Sequence, residues 1–312
     1  MLKTRIWMGS LLIALVICVL LFDPAPWYPF LLSLAVFLAA VGSVELHQLI
    51  GAAHGLPLWL SGGSVLMVLL ANWPAHLWPD RFGSDPWRLV LAVFTAVMLL
   101  GFLVEMAAFR PPSQTSEISA TGSSNVVIRL ALLVWITAYL GLLPSFLMQL
   151  RWLPPSPPKD WGGEGGALAL GIFIPKCCDI GAYFTGRLLG RHKMAPVLSP
   201  KKTWEGVLGG LLLSAAAAVA INRPLSVVPG GDSAAAVFGL VIGGAGVLGD
   251  LAESMIKRDC RRKDASQMMP GFGGVLDVID SILFAAPIAY FWLLCLRNLS
   301  CRASVSWISV PW

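Results

Sequence analysis

Long apolar runs alternate with short polar connectors along this chain of 312 residues. A helix that crosses a bilayer needs about 20 predominantly apolar residues. The pattern predicts nine such helices, so we expect an all-α fold, a polytopic bundle of helices integral to a membrane. The predicted spans cover residues 6–22, 28–46, 57–73, 87–109, 126–149, 167–189, 205–222, 233–252 and 279–297.

The first apolar run resembles the hydrophobic region of a signal peptide, because Lys3 and Arg5 precede it. It has no small-x-small cleavage site before Asp23 and Pro24. We therefore interpret this run as a retained first span.

Composition agrees with a membrane protein. The chain is 57% hydrophobic and only 12% charged, whereas soluble domains carry about 25% charged residues. Its net charge of +5 does not require a nucleic-acid partner, because basic residues of membrane proteins gather in cytoplasmic loops and meet lipid headgroups. The six cysteines form no CxxC pair, so neither a zinc site nor a disulfide framework is indicated.

The basic residues predict an orientation. With the N-terminus inside, alternate loops place 14 Lys and Arg residues on the inner side and 7 on the outer side. By the positive-inside rule, we expect the N-terminus in the cytoplasm and the C-terminus outside a bacterial inner or plasma membrane. This topology puts both long charged loops, 186–204 and 253–276, on the cytoplasmic face.

Ionisable residues are distributed unevenly. Residues 1–166 carry few of them and no recognisable motif, so we interpret this half as a transmembrane scaffold and lipid-contact region. Residues 167–281 hold nearly all the clustered charge. We interpret 167–312 as the transmembrane catalytic region.

The strongest cluster begins at the end of the eighth predicted span. Asp250, Ser254 and Lys257 recur at i, i+4 and i+7, which places them on one helix face, and Glu253 borders that face. Such a face can present a carboxylate, a hydroxyl and an ammonium group together.

Asp277 and Asp280 lie three residues apart where the ninth predicted span begins. Together with Asp250 they place three carboxylates at two adjoining helix ends, and carboxylate oxygens are suitable ligands for a hard divalent cation. Nearby Lys and Arg side chains can hold phosphate oxygens, and the glycines of "PGFGG" let backbone N–H groups approach an anion. These are the parts that phosphoryl-type transfer requires. The alternative is a solvated loop whose excess cations pair with Asp277 and Asp280.

A second segment, "KCCDIGAYFTGRLLGRHKMAPVLSPKKTWEG", carries further charge. Lys176 and Asp179 are one turn apart inside the sixth span, as either a structural pair or a pair that faces substrate. "SPKKTWEG" resembles a capped helix start with Thr203 as the cap. Lys201 and Lys202 would then face the headgroup layer.

Together these two segments resemble the phosphatidate cytidylyltransferase family, the CDP-diacylglycerol synthases. The family signature runs Ser-x-x-Lys-Arg, four residues, Lys-Asp, a small residue after one spacer, and a Gly-Gly turn followed by two aspartates. The resemblance covers about residues 170–285. Residues at matching spacing are Ser254, Lys257, Arg258, Lys263, Asp264, Ser266, Pro270, Gly273, Gly274, Asp277 and Asp280.

The chain departs from the family pattern at three positions. Phe272 stands where the family usually has His, and Val278 stands where it usually has Arg. Both changes remove a group that could contact phosphate or nucleotide. Met269 replaces Leu, Ile or Phe, which is a mild apolar exchange. The departures therefore concern nucleotide contact, and the aspartates that would bind metal are retained.

The resemblance implies a nucleotidyltransferase of phospholipid biosynthesis that makes CDP-diacylglycerol and diphosphate from CTP and phosphatidate. It implies Mg²⁺ held by Asp250, Asp277 and Asp280, with room for a second cation. The implied catalytic residues are Asp250, Ser254, Lys257 and Asp277. The residues implied to bind phosphate or CTP are Lys201, Lys202, Arg258, Lys263, Asp264, Gly273 and Gly274.

Other partners and functions stay open. We expect contact with membrane lipids and no nucleic acid. Glycine and alanine in spans seven and eight could pack a second copy of the chain as a homodimer. One alternative function is a CTP-dependent enzyme that acts on another lipid, such as an isoprenoid or polyprenyl acceptor. Another is a non-catalytic lipid-binding or transport protein, for which broken helices near the midplane would be typical.

Overall fold

The computed structural model describes residues 2–109, 125–153, 165–266, 268–269 and 273–306. Side chains of residues 2–6, 125 and 297–306 are outside the description, as are Pro270 and Phe272 of the predicted site. The described chain is almost entirely helical, which confirms the all-α class. Its α-helices are α1 Leu2–Phe22, α2 Pro29–Leu46, α3 Leu58–Leu70, α4 Pro74–Leu77, α5 Pro79–Phe82, α6 Pro86–Ala108, α7 Asn125–Thr137, α8 Leu143–Gln149, α9 Gly166–Leu189, α10 Trp204–Leu225, α11 Gly231–Asp259 and α12 Leu276–Ser306.

Eight helical segments in the described part of the chain are long and apolar enough to cross a bilayer. The first predicted span, 6–22, corresponds to α1, whose apolar part Trp7–Phe22 is shorter than the others. The count of nine therefore stays a prediction. The eight segments are Pro29–His54, Leu58–Leu77, Pro86–Ala108, Val126–Trp152, Gly166–Leu189, Trp204–Leu225, Gly231–Asp259 and Leu276–Leu296.

The last two predicted spans were drawn too short. α11 continues to Asp259 beyond the predicted end at 252, and α12 begins at Leu276 ahead of the predicted start at 279. Hydropathy marks only the apolar part of a helix, whereas backbone hydrogen bonds continue through the polar turns that follow. Asp277 and Asp280 consequently lie in the first turns of α12.

A small hairpin precedes α10, where the sequence analysis expected only a helix start. Strand β1, Lys193–Ala195, pairs antiparallel with β2, Ser199–Thr203. Lys201 and Lys202 lie on β2, so their side chains point to opposite sides of the strand. The predicted cap is confirmed, because Thr203 Oγ1 accepts the Gly206 N–H at 3.2 Å.

The chain divides into two compact units. The first consists of Met1–Leu11, Phe22–Ser145 and Asp264–Leu276. Its interior includes fully buried valines of α3 and α6, among them Val68 and Val90. A bidentate pair of Arg129 with Glu105 connects α7 to α6.

The second unit consists of Leu12–Leu21, Phe146–Lys263 and Asp277–Trp312. Here α9, α10 and α11 pack at close range, because small residues line their contacts. A Cβ at Gly210 would lie 2.6 Å from the Cys178 carbonyl oxygen, and one at Gly239 would lie 2.6 Å from the Ser214 carbonyl oxygen. The predicted functional division between residues 166 and 167 stays a prediction.

Two further glycines of α11 let the neighbouring helices α9 and α12 approach α11 closely. A Cβ at Gly246 would lie 2.8 Å from Pro175 Cβ on α9. A Cβ at Gly249 would lie 2.5 Å from the Asp280 carbonyl oxygen and 3.1 Å from Phe284 Cβ, both on α12. This close packing sets the distance between the polar groups that α11 and α12 carry.

We predict that Gly249→Ala destabilises the protein by about 1–3 kcal/mol, the usual cost of overpacking a tight interior. The matched control is Gly244→Ala on the same helix, because the nearest atom to a Cβ there is Leu211 Cδ2 at 3.9 Å. Alanine at Gly244 is expected to be neutral or stabilising, since it favours the helix by about 1 kcal/mol over glycine. Thermal unfolding in detergent measures both variants, and equal unfolding temperatures would contradict the prediction.

Candidate active site

Helix α11 presents four polar side chains toward its C-terminal end. Ser254 Oγ lies 3.4 Å from Asp250 Oδ1, as the i, i+4 spacing predicts. Asp250 is half-buried, whereas Glu253, Ser254 and Lys257 are buried. Charged groups at such depth require partners, because an unpaired buried charge is costly.

Lys257 joins α11 to α12. Its Nζ donates to Glu253 Oε2 at 2.6 Å and to Asp277 Oδ1 at 2.5 Å. All three side chains are about nine-tenths buried or more, with exposures of 11%, 4% and 10%. The predicted catalytic pair Lys257 and Asp277 is therefore in direct contact.

Three carboxylates form a compact group on α11 and α12. Asp250, Glu253 and Asp280 each offer one oxygen, and these oxygens lie within 4.8 Å of one another. Glu253 Oε1 is buried and has no hydrogen-bond partner in the described part of the chain. A bound hard cation takes oxygen ligands, and it would satisfy this oxygen, so the donor set fits a divalent ion.

This group differs from the predicted metal set by one residue. Asp250 and Asp280 are in both, but Glu253 stands in the group where the sequence analysis placed Asp277. The sequence contained an indication of Glu253: it lies three residues after Asp250 and therefore borders the same helix face. The contact of Asp277 with Lys257 depends on how two helices meet, and spacing alone does not give that.

Helix α9 contributes a second ammonium group, that of the half-buried Lys176. Lys176 Nζ donates to Ser281 Oγ at 2.7 Å and to Asp179 Oδ2 at 3.3 Å, and it lies 3.6 Å from Asp280 Oδ1. Ser281 Oγ in turn donates to Asp179 Oδ2 at 3.0 Å. The Lys176–Asp179 pair is thus part of the network around Asp280, and Ser281 is a member that the sequence analysis missed.

The hairpin contributes a third lysine. Lys202 Nζ lies 2.7 Å from Asp250 Oδ2 and donates to the Val247 carbonyl oxygen at 3.4 Å. Lys201, its neighbour on β2, is exposed. The two lysines therefore differ in environment, and only Lys202 reaches the acidic group.

Each carboxylate of the acidic group has its own lysine. The pairs are Asp250 with Lys202, Glu253 with Lys257, and Asp280 with Lys176. The lysines come from three separate elements, β2, α11 and α9. Since ammonium groups also bind phosphate oxygens as point charges, the site can offer positive charge to a polyanion.

Three further predicted residues lie at the end of α11 or just after it. Arg258 is exposed, and its guanidinium donates to the Leu198 carbonyl oxygen at 3.3 Å and to the Arg262 carbonyl oxygen at 3.2 Å. Lys263 and Asp264 are exposed.

The glycine pair belongs to the first unit. Gly273 has φ of +97° and exchanges two backbone hydrogen bonds with Met269, of 2.8 and 3.1 Å. Gly274 is buried. A positive φ favours glycine, so Gly273 allows the tight turn that precedes α12.

Comparisons with known proteins agree with the chemistry of this cluster. A family model described as the cytidylyltransferase family matches residues 3–296. A phosphatidate cytidylyltransferase of Synechocystis sp. is 44% identical over 181 residues, which are 51% of this chain and 60% of the relative. One of Haemophilus influenzae is 43% identical over 134 residues, 41% of this chain and 46% of the relative.

Another relative carries no assigned activity. The uncharacterized protein YnbB of Escherichia coli is 35% identical over 147 residues, 47% of this chain and 49% of the relative. The matches thus span roughly half the length of the curated relatives, between 46% and 60% of each.

We predict that Lys257→Met lowers stability by about 3–5 kcal/mol, because it leaves the Glu253 and Asp277 carboxylates without the ammonium group between them. The control is Lys201→Met, an exposed lysine whose replacement is expected to change stability by less than about 0.5 kcal/mol. Combining Lys257→Met with Glu253→Gln and Asp277→Asn should restore part of the loss. Thermal unfolding in detergent measures all three proteins. An unfolding temperature of Lys257→Met equal to that of the control would contradict the pairing.

Proposed function

This chain belongs to the cytidylyltransferase family, and we propose that it makes CDP-diacylglycerol and diphosphate from CTP and phosphatidate, a step of phospholipid biosynthesis. The observation that carries the proposal is the group of three carboxylates on α11 and α12, each beside a lysine. The curated relatives that bear the name phosphatidate cytidylyltransferase support the choice of substrates.

The proposed reaction exchanges one P–O bond for another. An oxygen of the phosphatidate phosphate attacks the α-phosphorus of CTP, the bond from that phosphorus to the bridging oxygen breaks, and diphosphate departs with the bonding electron pair. The attacking phosphate is already ionised at neutral pH, so no strong general base is required. The main obstacle is repulsion between two anions. At 4 Å, two unit charges interact by about 4 kcal/mol at an effective dielectric constant near 20.

Positive charge from the chain offsets this repulsion. Lys202 and Lys257 lie beside the acidic group and can exchange a carboxylate for a phosphate oxygen. Lys201, Arg258 and Lys263 are exposed, and we propose that they bind the triphosphate or the lipid phosphate as these substrates arrive.

The acidic group fits a magnesium ion, with Asp250, Glu253 and Asp280 as its holders and room for a second cation. When bound there, Mg²⁺ would bind triphosphate oxygens and stabilise the charge of the departing diphosphate. Asp277 then acts through Lys257, whose ammonium group it holds at the junction of α11 and α12. Ser254, hydrogen-bonded to Asp250, orients that carboxylate.

We place the reaction at the cytoplasmic face of the membrane, where CTP is available and where phosphatidate of the inner leaflet presents its phosphate. The excess of basic residues on one side of the predicted topology supports this, as does the predicted orientation with the N-terminus inside and the C-terminus outside.

We propose that two copies of the chain pair through small residues on the exposed face of α10, such as Ala216 and Ala220. Crosslinking in native membranes measures that pairing.

We predict CTP-dependent formation of a lipid-soluble cytidine product when purified protein is given radiolabelled CTP, phosphatidate and Mg²⁺. Lysophosphatidate, polyprenyl phosphate and isoprenoid alcohols serve as competing acceptors in the same assay. If product forms only with a polyprenyl or isoprenoid acceptor, that lipid is the substrate and phosphatidate is not. If no lipid supports diphosphate release from CTP, the chain is a lipid-binding or transport protein. Because CTP does not cross membranes, turnover in inverted vesicles but not in sealed right-side-out vesicles is expected for a cytoplasmic site.

The acidic group generates a second prediction. Glu253→Gln, Asp250→Asn and Asp280→Asn should each weaken binding of Mn²⁺, used as a spectroscopic probe for Mg²⁺, by about tenfold or more. The control is Asp232→Asn, which removes an exposed carboxylate paired with Arg223 at the other end of α11.

Asp277→Asn distinguishes the two roles considered for Asp277, a metal ligand or a residue that acts through Lys257. It is expected to abolish CTP-dependent turnover while the protein still inserts and folds, because Lys257 loses a partner. Mn²⁺ affinity within about twofold of the parent would fit action through Lys257, and a tenfold loss would make Asp277 a ligand. Retained turnover would remove Asp277 from the site.

A further inference from the structure

A buried glutamate of the N-terminal half reaches the start of α12. Glu45 lies next to the C-terminal end of α2 and is only 1% exposed. The sequence analysis assigned this half of the chain to scaffold and lipid contact and gave Glu45 no role. A carboxylate buried to this extent requires several hydrogen bonds to offset its lost hydration.

Three donors converge on the Glu45 carboxylate. Oε1 accepts the Ser266 hydroxyl at 2.6 Å and the Val275 N–H at 2.9 Å, and Oε2 accepts the Leu276 N–H at 2.9 Å. The first N–H groups of a helix have no acceptor within that helix. Here a side chain more than 200 residues earlier in the chain supplies the acceptor at the first residue of α12.

The same carboxylate fills the space beside the glycine turn. A Cβ at Gly274 would lie 2.7 Å from Glu45 Oε2 and 2.8 Å from Oε1, so any side chain there would displace the carboxylate. Ser266 Oγ also accepts the Met268 N–H at 3.1 Å. Glu45 therefore holds both ends of the loop that runs from Ser266 to Leu276.

We propose that Glu45 is a positioning residue for the acidic side chains of α12. Asp277 follows Leu276 directly in the chain, and Asp280 lies one turn later. If the chain slid by one residue along the path of this helix, each side chain would rotate by about 100° and move by about 1.5 Å along the axis. By fixing the residue at which α12 begins, Glu45 fixes where Asp277 and Asp280 point. This inference rests on the proposed function only for its consequence on turnover.

A carboxylate suits this position better than its amide analogue. An ionised glutamate is acceptor-only, so both oxygens can receive the three donors. A glutamine keeps one acceptor oxygen and turns an NH₂ group toward either the Leu276 N–H or the Ser266 and Val275 donors. Two donors then face each other, and one end of the loop loses its hydrogen bond. The negative charge of glutamate also interacts favourably with the N-terminal dipole of α12.

The test compares Glu45→Gln with Glu105→Gln, a matched loss of a buried, hydrogen-bonded carboxylate elsewhere in the same unit. Ser266→Ala is a milder second variant that removes one donor and leaves the carboxylate. Purified proteins are compared by Mn²⁺ affinity, by hydrogen exchange of peptides covering residues 273–282, and by kcat and KM for CTP. Unfolding temperature is measured alongside.

For Glu45→Gln we expect Mn²⁺ affinity to fall about tenfold, as for loss of an outer partner of a metal ligand, with faster exchange at the start of α12. kcat should fall more than KM changes. Ser266→Ala should shift each readout in the same direction by less. Glu105→Gln should lower the unfolding temperature and leave Mn²⁺ affinity and this exchange within about twofold.

Unchanged Mn²⁺ affinity and exchange in Glu45→Gln would overturn the positioning role, as would an equal loss in Glu105→Gln. Should Glu45→Gln fail to fold, unchanged readouts in Ser266→Ala would overturn it. The outcome is separable from the proposed function. A parent protein that gives no product from CTP and phosphatidate, while Glu45→Gln still weakens Mn²⁺ binding and loosens α12, would refute the reaction and leave the positioning role intact.

Discussion

The pairing of buried carboxylates with ammonium groups is the interaction on which the second unit depends. Charge inside a membrane-spanning helix is tolerated when an opposite charge and hydrogen bonds replace its hydration. Lys257 meets this condition for Glu253 and Asp277 at once, and so connects two helices through one atom. Without such pairs the ends of α11 and α12 would repel each other, because both carry carboxylates. The same pairs hold the carboxylates of the two helices close together.

Glycine and other small residues make that pairing geometrically feasible. The 2.5 Å contact between Lys257 Nζ on α11 and Asp277 Oδ1 on α12 requires backbones that approach closely. Gly249 permits this approach, because even a methyl group there would meet the Asp280 carbonyl oxygen. Packing and electrostatics are therefore coupled, because a larger residue at Gly249 would separate α11 from α12 and lengthen the ionic contact between them.

Sequence periodicity predicted the features that are local to one helix. It placed Asp250, Ser254 and Lys257 on one face and identified Thr203 as a cap, because both depend only on spacing within a helix or at its start. It missed the hairpin, since two strands of three and five residues are too short to show a period. It gave no role to Glu45, because the hydrogen bonds of that residue join positions separated by more than 200 residues. Glu253 lay between these cases, visible at the edge of a predicted face but indistinguishable from a solvated charge.

The origin of the three lysines has a consequence for how the site meets a charged substrate. Lys176, Lys202 and Lys257 come from α9, β2 and α11, and each is already held by a carboxylate. In the proposed reaction the ammonium groups would thus be oriented before CTP arrives, so little reorganisation energy would be spent when negative charge enters. In that reaction the exchange of carboxylate for phosphate would leave the number of ionic contacts of each lysine nearly constant. A carboxylate that gives up its lysine to phosphate would be left to the proposed divalent cation, so the arrival of the substrate and the binding of the metal would depend on each other.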